Sequence, residues 1–184
     1  MKMGTKLRFP IVVSGVGPVP APGMIIGEAP GRNEIAQGRP FVGASGEVLR
    51  QAFYMATQRD ELLASGIYIT NVFKGDVGKG NPNPSDEMVR DHSSILRQEI
   101  GSVEPTGILL LGRVPCNVFG LTEPMGQLAG SCTSGAIPHL YPCYHPAATL
   151  YKRELLPIFN KTVATFIGDV YGNANWNTDG DRRH

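Results

Sequence analysis

The chain is poor in cysteine, in net charge and in long apolar runs, and each shortage closes off a class of function. Only Cys116, Cys132 and Cys143 occur in 184 residues. No two of them have CxxC spacing, so no zinc or iron–sulfur ligand set is signalled. An odd count without a framework reads as reduced thiols in a cytosol-like compartment, which places the protein in the cytoplasm. The formal net charge is +1. Non-specific grip on nucleic acid often carries a stronger basic bias, so charge alone names no partner. No apolar run is long enough to span a membrane. Prolines and glycines between Pro10 and Pro22 break the stretch after the basic Met1–Lys6 segment, so no signal-peptide core follows. Internal repeats and low-complexity segments are missing too. Glycine (23) and proline (15) are plentiful, which marks a protein whose loops matter. The length suits one domain, residues 1–184, with a core at about 24–170 and a polar tail at 171–184.

One stretch organises the rest. Met24-Ile25-Ile26 is a short apolar run that stops at Gly27-Glu28-Ala29-Pro30-Gly31. This reads as a buried strand emptying into a tight loop at a sheet edge. In open α/β sheets, ligands bind beyond the carboxyl ends of the strands. The loop continues to Gly43 and holds one aromatic, Phe41, among glycines and prolines. Loops of that length inside a compact domain are usually functional.

Taken in order, residues 7–13 read as an edge strand in which Pro10 limits pairing. The apolar spacing of Val48, Leu49, Ala52, Phe53 and Ala56 predicts a helix over 44–56. Ile67–Thr70 is a second strand ending at Asn71. A glycine-rich loop fills 75–83, and Asn83-Pro84 reads as a helix start. Thr106–Leu111 is a third strand whose unbroken apolar run predicts burial on both faces. A short helix follows at 113–119, then a loop at 120–137. His139–Tyr144 is a fourth strand with His145-Pro146 at its end, and Glu154–Val170 is a helix with a full apolar stripe. Strands separated by helices predict an α/β fold with a parallel sheet covered on both faces.

Three strand ends thus carry polar residues on one edge: Glu28, Asn71 and His145. With Phe41 they suit a pocket for a flat polar ring. Phe41 can stack on the ring. The planar amide of Asn71 can donate to a ring carbonyl and accept from a ring N–H, which is the edge of uracil or thymine and mismatches cytosine. His145 can donate to a second carbonyl as charge builds on a departing base. Glu28 can orient water or stabilise positive charge on the sugar. Read singly, these are a loop carboxylate, a turn residue, a backbone-bonded histidine and a core anchor. Lys74, Lys79, Lys152 and Arg153 read singly as a solvated face, and His92, His139 and His184 as structural or exposed.

Gly27–Gly31, Gly38–Gly46, Thr70-Asn71-Val72-Phe73-Lys74, Leu111-Gly112-Arg113 and His145-Pro146-Ala147-Ala148 together resemble the motifs of the uracil-DNA glycosylase superfamily, in the family's order. The match is nearest to its iron–sulfur type. The resemblance implies a three-layer α/β/α sandwich around a four-stranded parallel sheet. It implies that Gly27, Ala29, Phe41 and Asn71 bind the base, and that Glu28, His145 and Asn71 carry the catalysis. It also implies that Lys74, Pro146, Ala147, Lys152 and Arg153 touch DNA, the 146–153 loop wedging into the duplex. The expected partner is DNA with uracil or a modified base, bound by a monomer without a membrane.

This chain departs from the pattern. The iron–sulfur members have cysteines near the N-terminus, directly after the Asn-Val-x-Lys motif and in the next helix. Here Gly75 follows Lys74 and no cysteine precedes Cys116, so no cluster is expected. Ala29 stands where classical members have a catalytic Asp, which leaves Glu28 as the carboxylate. No lysine is placed to form a Schiff base, so a monofunctional glycosylase leaving an abasic site is expected. The altered 75–83 loop keeps open a glycosylase for a hypermodified base in viral DNA, and a base- or DNA-binding relative without catalysis.

Overall fold

The computed structural model describes residues 7–58, 66–133 and 138–172. The segment Met1–Lys6, most of the tail expected at 171–184, and His184 lie outside the described residues. Four strands form one parallel sheet: β1 (Gly23–Gly27), β2 (Ile67–Asn71), β3 (Gly107–Leu111) and β4 (His139–Cys143). Their spatial order is β2-β1-β3-β4. From β1 the chain moves outward to β2, then returns to the other side for β3 and β4. That reversal opens a crevice beyond the carboxyl ends of the strands.

Each face of the sheet takes alternate residues. Ile25, Ile67, Ile69, Leu109, Leu111 and Tyr141 pack against α2 (Ala44–Thr57) and α7 (Leu156–Gly172) through Leu49, Phe53, Phe159, Val163 and Phe166. Met24, Ile26, Tyr68, Ile108 and Leu110 pack on the other face against Leu96 and Val103 of α3 (Asp86–Val103). The sandwich has three layers, and β1 to β3 are buried along their whole length. This is why their sequences read as unbroken apolar runs rather than alternating ones.

Several local expectations shift. Residues 7–13 are not a strand. They form an irregular segment whose Val12 and Val13 N–H groups donate to the Lys74 carbonyl (2.8 and 3.0 Å), with the Phe9 ring edge-on to Phe73. Helix α3 starts two residues later than Asn83-Pro84 suggests, because Ser85 supplies the cap, its Oγ accepting from Met88 N. The long loop after β1 contains a one-and-a-half-turn helix, α1 (Arg32–Gln37), closed by Gly38 in the left-handed region. After β3 come α4 (Arg113–Val118) and α5 (Met125–Leu128), the latter inside the stretch expected to be loop. The expected wedge loop at 146–153 is mostly α6 (Pro146–Tyr151), followed by a 3-10 turn at Arg153–Leu155, so α7 begins at Leu156 rather than Glu154.

Gly46 couples α2 to the site, because a Cβ there would run into the Phe41 carbonyl. Alanine in place of glycine inside a helix normally stabilises by about 1 kcal/mol. At Gly46 the sign is expected to reverse, with Gly46→Ala losing about 1–3 kcal/mol through overpacking. Thermal unfolding measures this, and a variant as stable as the parent would show that the Phe41 turn yields freely.

Candidate active site

The carboxyl edge of the sheet opens into a cavity of about 440 Å³. Ala29, Phe41, Asn71, His145 and Ala147 line it, so five residues singled out in the sequence meet in one space. Gly27 is outside the lining but lies against two of these residues. A Cβ on it would strike both the Asn71 amide oxygen and the Phe41 ring, so glycine lets these two side chains meet across the end of β1.

Phe41 is held in an unusual backbone state, with φ at +54°. Such a conformation costs energy in a bulky residue and persists only when its surroundings over-determine it. Here Arg50 Nη1 donates to the Phe41 carbonyl (2.9 Å). The next two backbone N–H groups, Val42 and Gly43, donate to Glu34 Oε1 (2.9 and 2.7 Å). The Phe41 ring lies 6.5 Å from the His145 ring, centroid to centroid, tilted by 32°. The two rings therefore flank the cavity, and Asn71, only 3% exposed, stands on a third side.

His145 caps α6. Its Nδ1 accepts from the Ala147 N–H (3.2 Å), which leaves the ring proton on Nε2. Burial pushes its pKa down to about 4, against the upward pull of the Glu34 carboxylate. The imidazole is thus neutral at pH 7 and offers Nε2–H as a donor. Glu28 is half-buried, and burial raises its carboxyl pKa above the ordinary range. Its carbonyl accepts from Phe73 N (3.0 Å), and its neighbour Ala29, rather than Glu28 itself, forms the cavity wall.

The residues expected to contact DNA divide. Lys152 and Arg153 are exposed, and Ala147 faces the cavity. Pro146 is buried at the first position of α6. Lys74 corrects the expectation of a solvated cation at a phosphate. It is 1% exposed, and its ammonium is engaged by Glu99 (2.8 Å) and the Asn71 carbonyl (2.7 Å). The motif spacing places Lys74 next to the site, but only packing decides that it turns inward. His92 is structural: fully buried, it accepts from Lys74 N at Nδ1 and donates from Nε2 to the Phe9 carbonyl.

Sequence reading passed over Arg32, Asn33, Glu34, Asn81, Leu150 and Tyr151, all of which line the cavity. Asn81 had a signal. It follows Gly80 in the glycine-rich loop, and the two adopt positive φ, +52° and +89°. Tyr151, 88% exposed at the end of α6, had none, because exposure of one aromatic is a property of the fold.

The residues present do not fit a four-thiolate iron–sulfur cluster. The chain has three cysteines. Burial holds the Cys116 and Cys143 thiols protonated, pushed up to about 11 and about 12, and Cys132 is exposed on the surface. A side chain at Gly75, directly after Lys74, would meet the Phe73 ring and the Pro10 carbonyl.

At the carboxyl edge of a three-layer parallel α/β sandwich, an aromatic ring, a buried amide and a neutral imidazole thus share one cavity. Comparison with known proteins assigns the family. The sequence model of the Uracil DNA glycosylase superfamily matches residues 14–167. The chain is 36% identical over 165 residues to a type-4 uracil-DNA glycosylase of Pyrobaculum aerophilum, covering 85% of this chain and 82% of that protein. It is 34% identical over 152 residues to one of Archaeoglobus fulgidus (78% and 74% covered). A third, from Thermotoga maritima, is 28% identical over 154 residues (78% and 73% covered). The chain belongs to the uracil DNA glycosylase superfamily, and is a DNA glycosylase. Among the described residues, no helix is long and apolar enough to cross a membrane.

The depressed pKa of His145 has a testable sign. Between about 4 and the ordinary 6.5, the unfolded chain binds a proton that the folded chain refuses. Stability from this group is complete above pH 6.5 and is lost as pH falls toward 4. The imidazole C–H resonance of His145 is expected to titrate near pH 4 by NMR, and a midpoint at the ordinary value would contradict the neutral donor.

Proposed function

We propose that this protein hydrolyses the N-glycosidic bond of uracil in DNA, with the nucleotide turned out of the helix into the cavity. The observation that carries this reading is the convergence of Phe41, Asn71 and His145 on one cavity, in a chain whose relatives bear the name uracil-DNA glycosylase. A glycosidic bond inside the stack is out of reach, so extrusion is required. Phe41 stacks on the ring. Asn71 donates to one ring carbonyl and accepts from the adjacent N–H. His145 Nε2–H donates to the other carbonyl.

In the chemical step, the C1′–N bond breaks and its electron pair leaves on the base. A water oxygen bonds to C1′, and its proton passes to a carboxylate. Charge developing on the base strengthens the His145 hydrogen bond in the transition state, which is where a preorganised donor accelerates a reaction. We assign the carboxylate role to Glu28. Its raised pKa suits a general base better than an ordinary carboxylate. Glu34 lines the cavity and Glu28 stands next to its wall, but one Glu34 oxygen is committed to two backbone N–H groups. The cavity-lining residues include no lysine, so no Schiff base with the sugar is available and the product is an intact strand with an abasic site. The reaction as proposed runs without an iron–sulfur cluster.

A second reading rests on the size of the cavity. At about 440 Å³, with Asn81 of the glycine-rich loop in its wall, it is roomier than a plain pyrimidine ring needs. This favours a relative that accepts a hydroxymethylated or glucosylated base.

Labelled oligonucleotides carrying uracil, hydroxymethyluracil, hypoxanthine, or plain or glucosylated hydroxymethylcytosine separate the readings when alkali reveals abasic sites. Cleavage at uracil is expected, and Asn71→Ala and His145→Ala are each expected to reduce it about 100-fold or more. Cleavage confined to a bulky base selects the second reading. A folded protein that releases no base, or an Asn71→Ala variant of full activity, refutes the proposal.

A further inference from the structure

The mechanism leaves one buried charged group unused. Lys74 and Glu99 sit behind Asn71, outside the cavity lining. Burying an ammonium and a carboxylate costs several kcal/mol per ion, repaid only by good geometry and full hydrogen bonding. The geometry here is good, and each ion has hydrogen-bond partners. Glu99, from α3, faces Lys74 Nζ at 2.8 Å and also accepts from Tyr68 OH and Thr70 Oγ1, each at 3.2 Å. Tyr68 and Thr70 occupy the α3 face of β2, and by strand alternation Asn71 faces the other way, with Ile67 and Ile69.

The second partner of the ammonium is the Asn71 carbonyl, at 2.7 Å. Strand β2 is the edge strand of the sheet. The Val72 N–H donates to the Gly27 carbonyl of β1 at 2.8 Å. In a trans peptide, C=O and N–H point in opposite directions. The Asn71 carbonyl, on the same peptide unit, therefore points away from β1, toward the outer edge of β2, which Val16 bridges at Ile69. Lys74 Nζ meets it there. The peptide that carries the Asn71 side chain is thus held from both ends. The clamp is itself braced: Lys74 N donates to His92 (3.0 Å), and the Lys74 carbonyl accepts from Val12 and Val13.

We propose that Lys74, set by Glu99, is a positioning residue that fixes the Asn71 peptide and hence the angle at which its amide meets the base. The inference deepens the glycosylase reading above and rests on it for its catalytic consequence. The clamp itself is testable without any activity.

The test uses the full chain and the variants Lys74→Met, Glu99→Gln and Lys74→Met/Glu99→Gln. Amide exchange by NMR reads the clamp directly. The Val72 amide is expected to exchange at least about 10-fold faster in Lys74→Met, with core amides of β1 and β3 unaffected. On uracil-containing duplex, kcat is expected to fall about 10- to 100-fold, the cost of a misplaced reacting group. KM and its salt dependence stay as in the parent, because a buried ammonium neutralises no phosphate. The double variant removes the orphaned charge. It is expected to regain the unfolding temperature that Lys74→Met loses, yet keep fast Val72 exchange and low kcat.

Three results would overturn the proposal. One is unchanged Val72 exchange in Lys74→Met. Another is a raised KM whose log–log salt slope drops by about one, which makes Lys74 a phosphate contact. The third is a double variant that recovers kcat together with its unfolding temperature, which reduces the pair to a stability element. A parent enzyme that releases no uracil refutes the glycosylase reading instead, and Val72 exchange still decides the clamp.

Discussion

The site depends on one close approach. At the end of β1 the backbone of Gly27 lets the Asn71 amide and the Phe41 ring come together, and any Cβ there would hold them apart. Everything around this point maintains it. Glu34 and Arg50 secure the left-handed turn at Phe41, Gly46 lets α2 close beneath it, and the Val72 N–H ties β2 to the Gly27 carbonyl. The strain at Phe41 and the tight glycine contacts belong to a single arrangement in which backbone geometry is spent on side-chain placement.

Electrostatics follow from how far each group sits from water. His145 loses its charge to burial and becomes a donor at neutral pH. Lys74 is also buried, and burial pulls its pKa down, but Glu99, paired with it at 2.8 Å, opposes the shift. Glu28 is only partly desolvated, enough to raise its carboxyl pKa. Three ionisable groups near the same sheet edge thus differ in electrostatic environment, each set by its depth and its partner.

Much of this was legible beforehand. The parallel sheet followed from apolar runs separated by helical periods, and the meeting of Asn71 and His145 followed from strand ends sharing one edge. The failures have physical causes. Residues 7–13 have strand-like composition, but Pro10 and the contacts of Phe9 with Phe73 and of Val12 and Val13 with Lys74 hold them as an irregular strap. The family resemblance implies a loop over 146–153, yet a proline at the first helical position and an imidazole cap favour a helix there. Lys74 reads as surface, as lysine usually does, and only the carboxylate brought in by α3 makes its burial possible.

The sequence by itself determined the four strands, the long helices, the parallel pairing and the family, because hydrophobic period, turn residues and motif order are local properties of the chain. Tertiary structure alone decided which polar groups face the cavity, which are sealed behind it and which protonation state each adopts. Those outcomes depend on partners distant along the chain, such as Glu99 for Lys74 and Glu34 for the Phe41 turn and His145, and on a depth from solvent that no local pattern encodes.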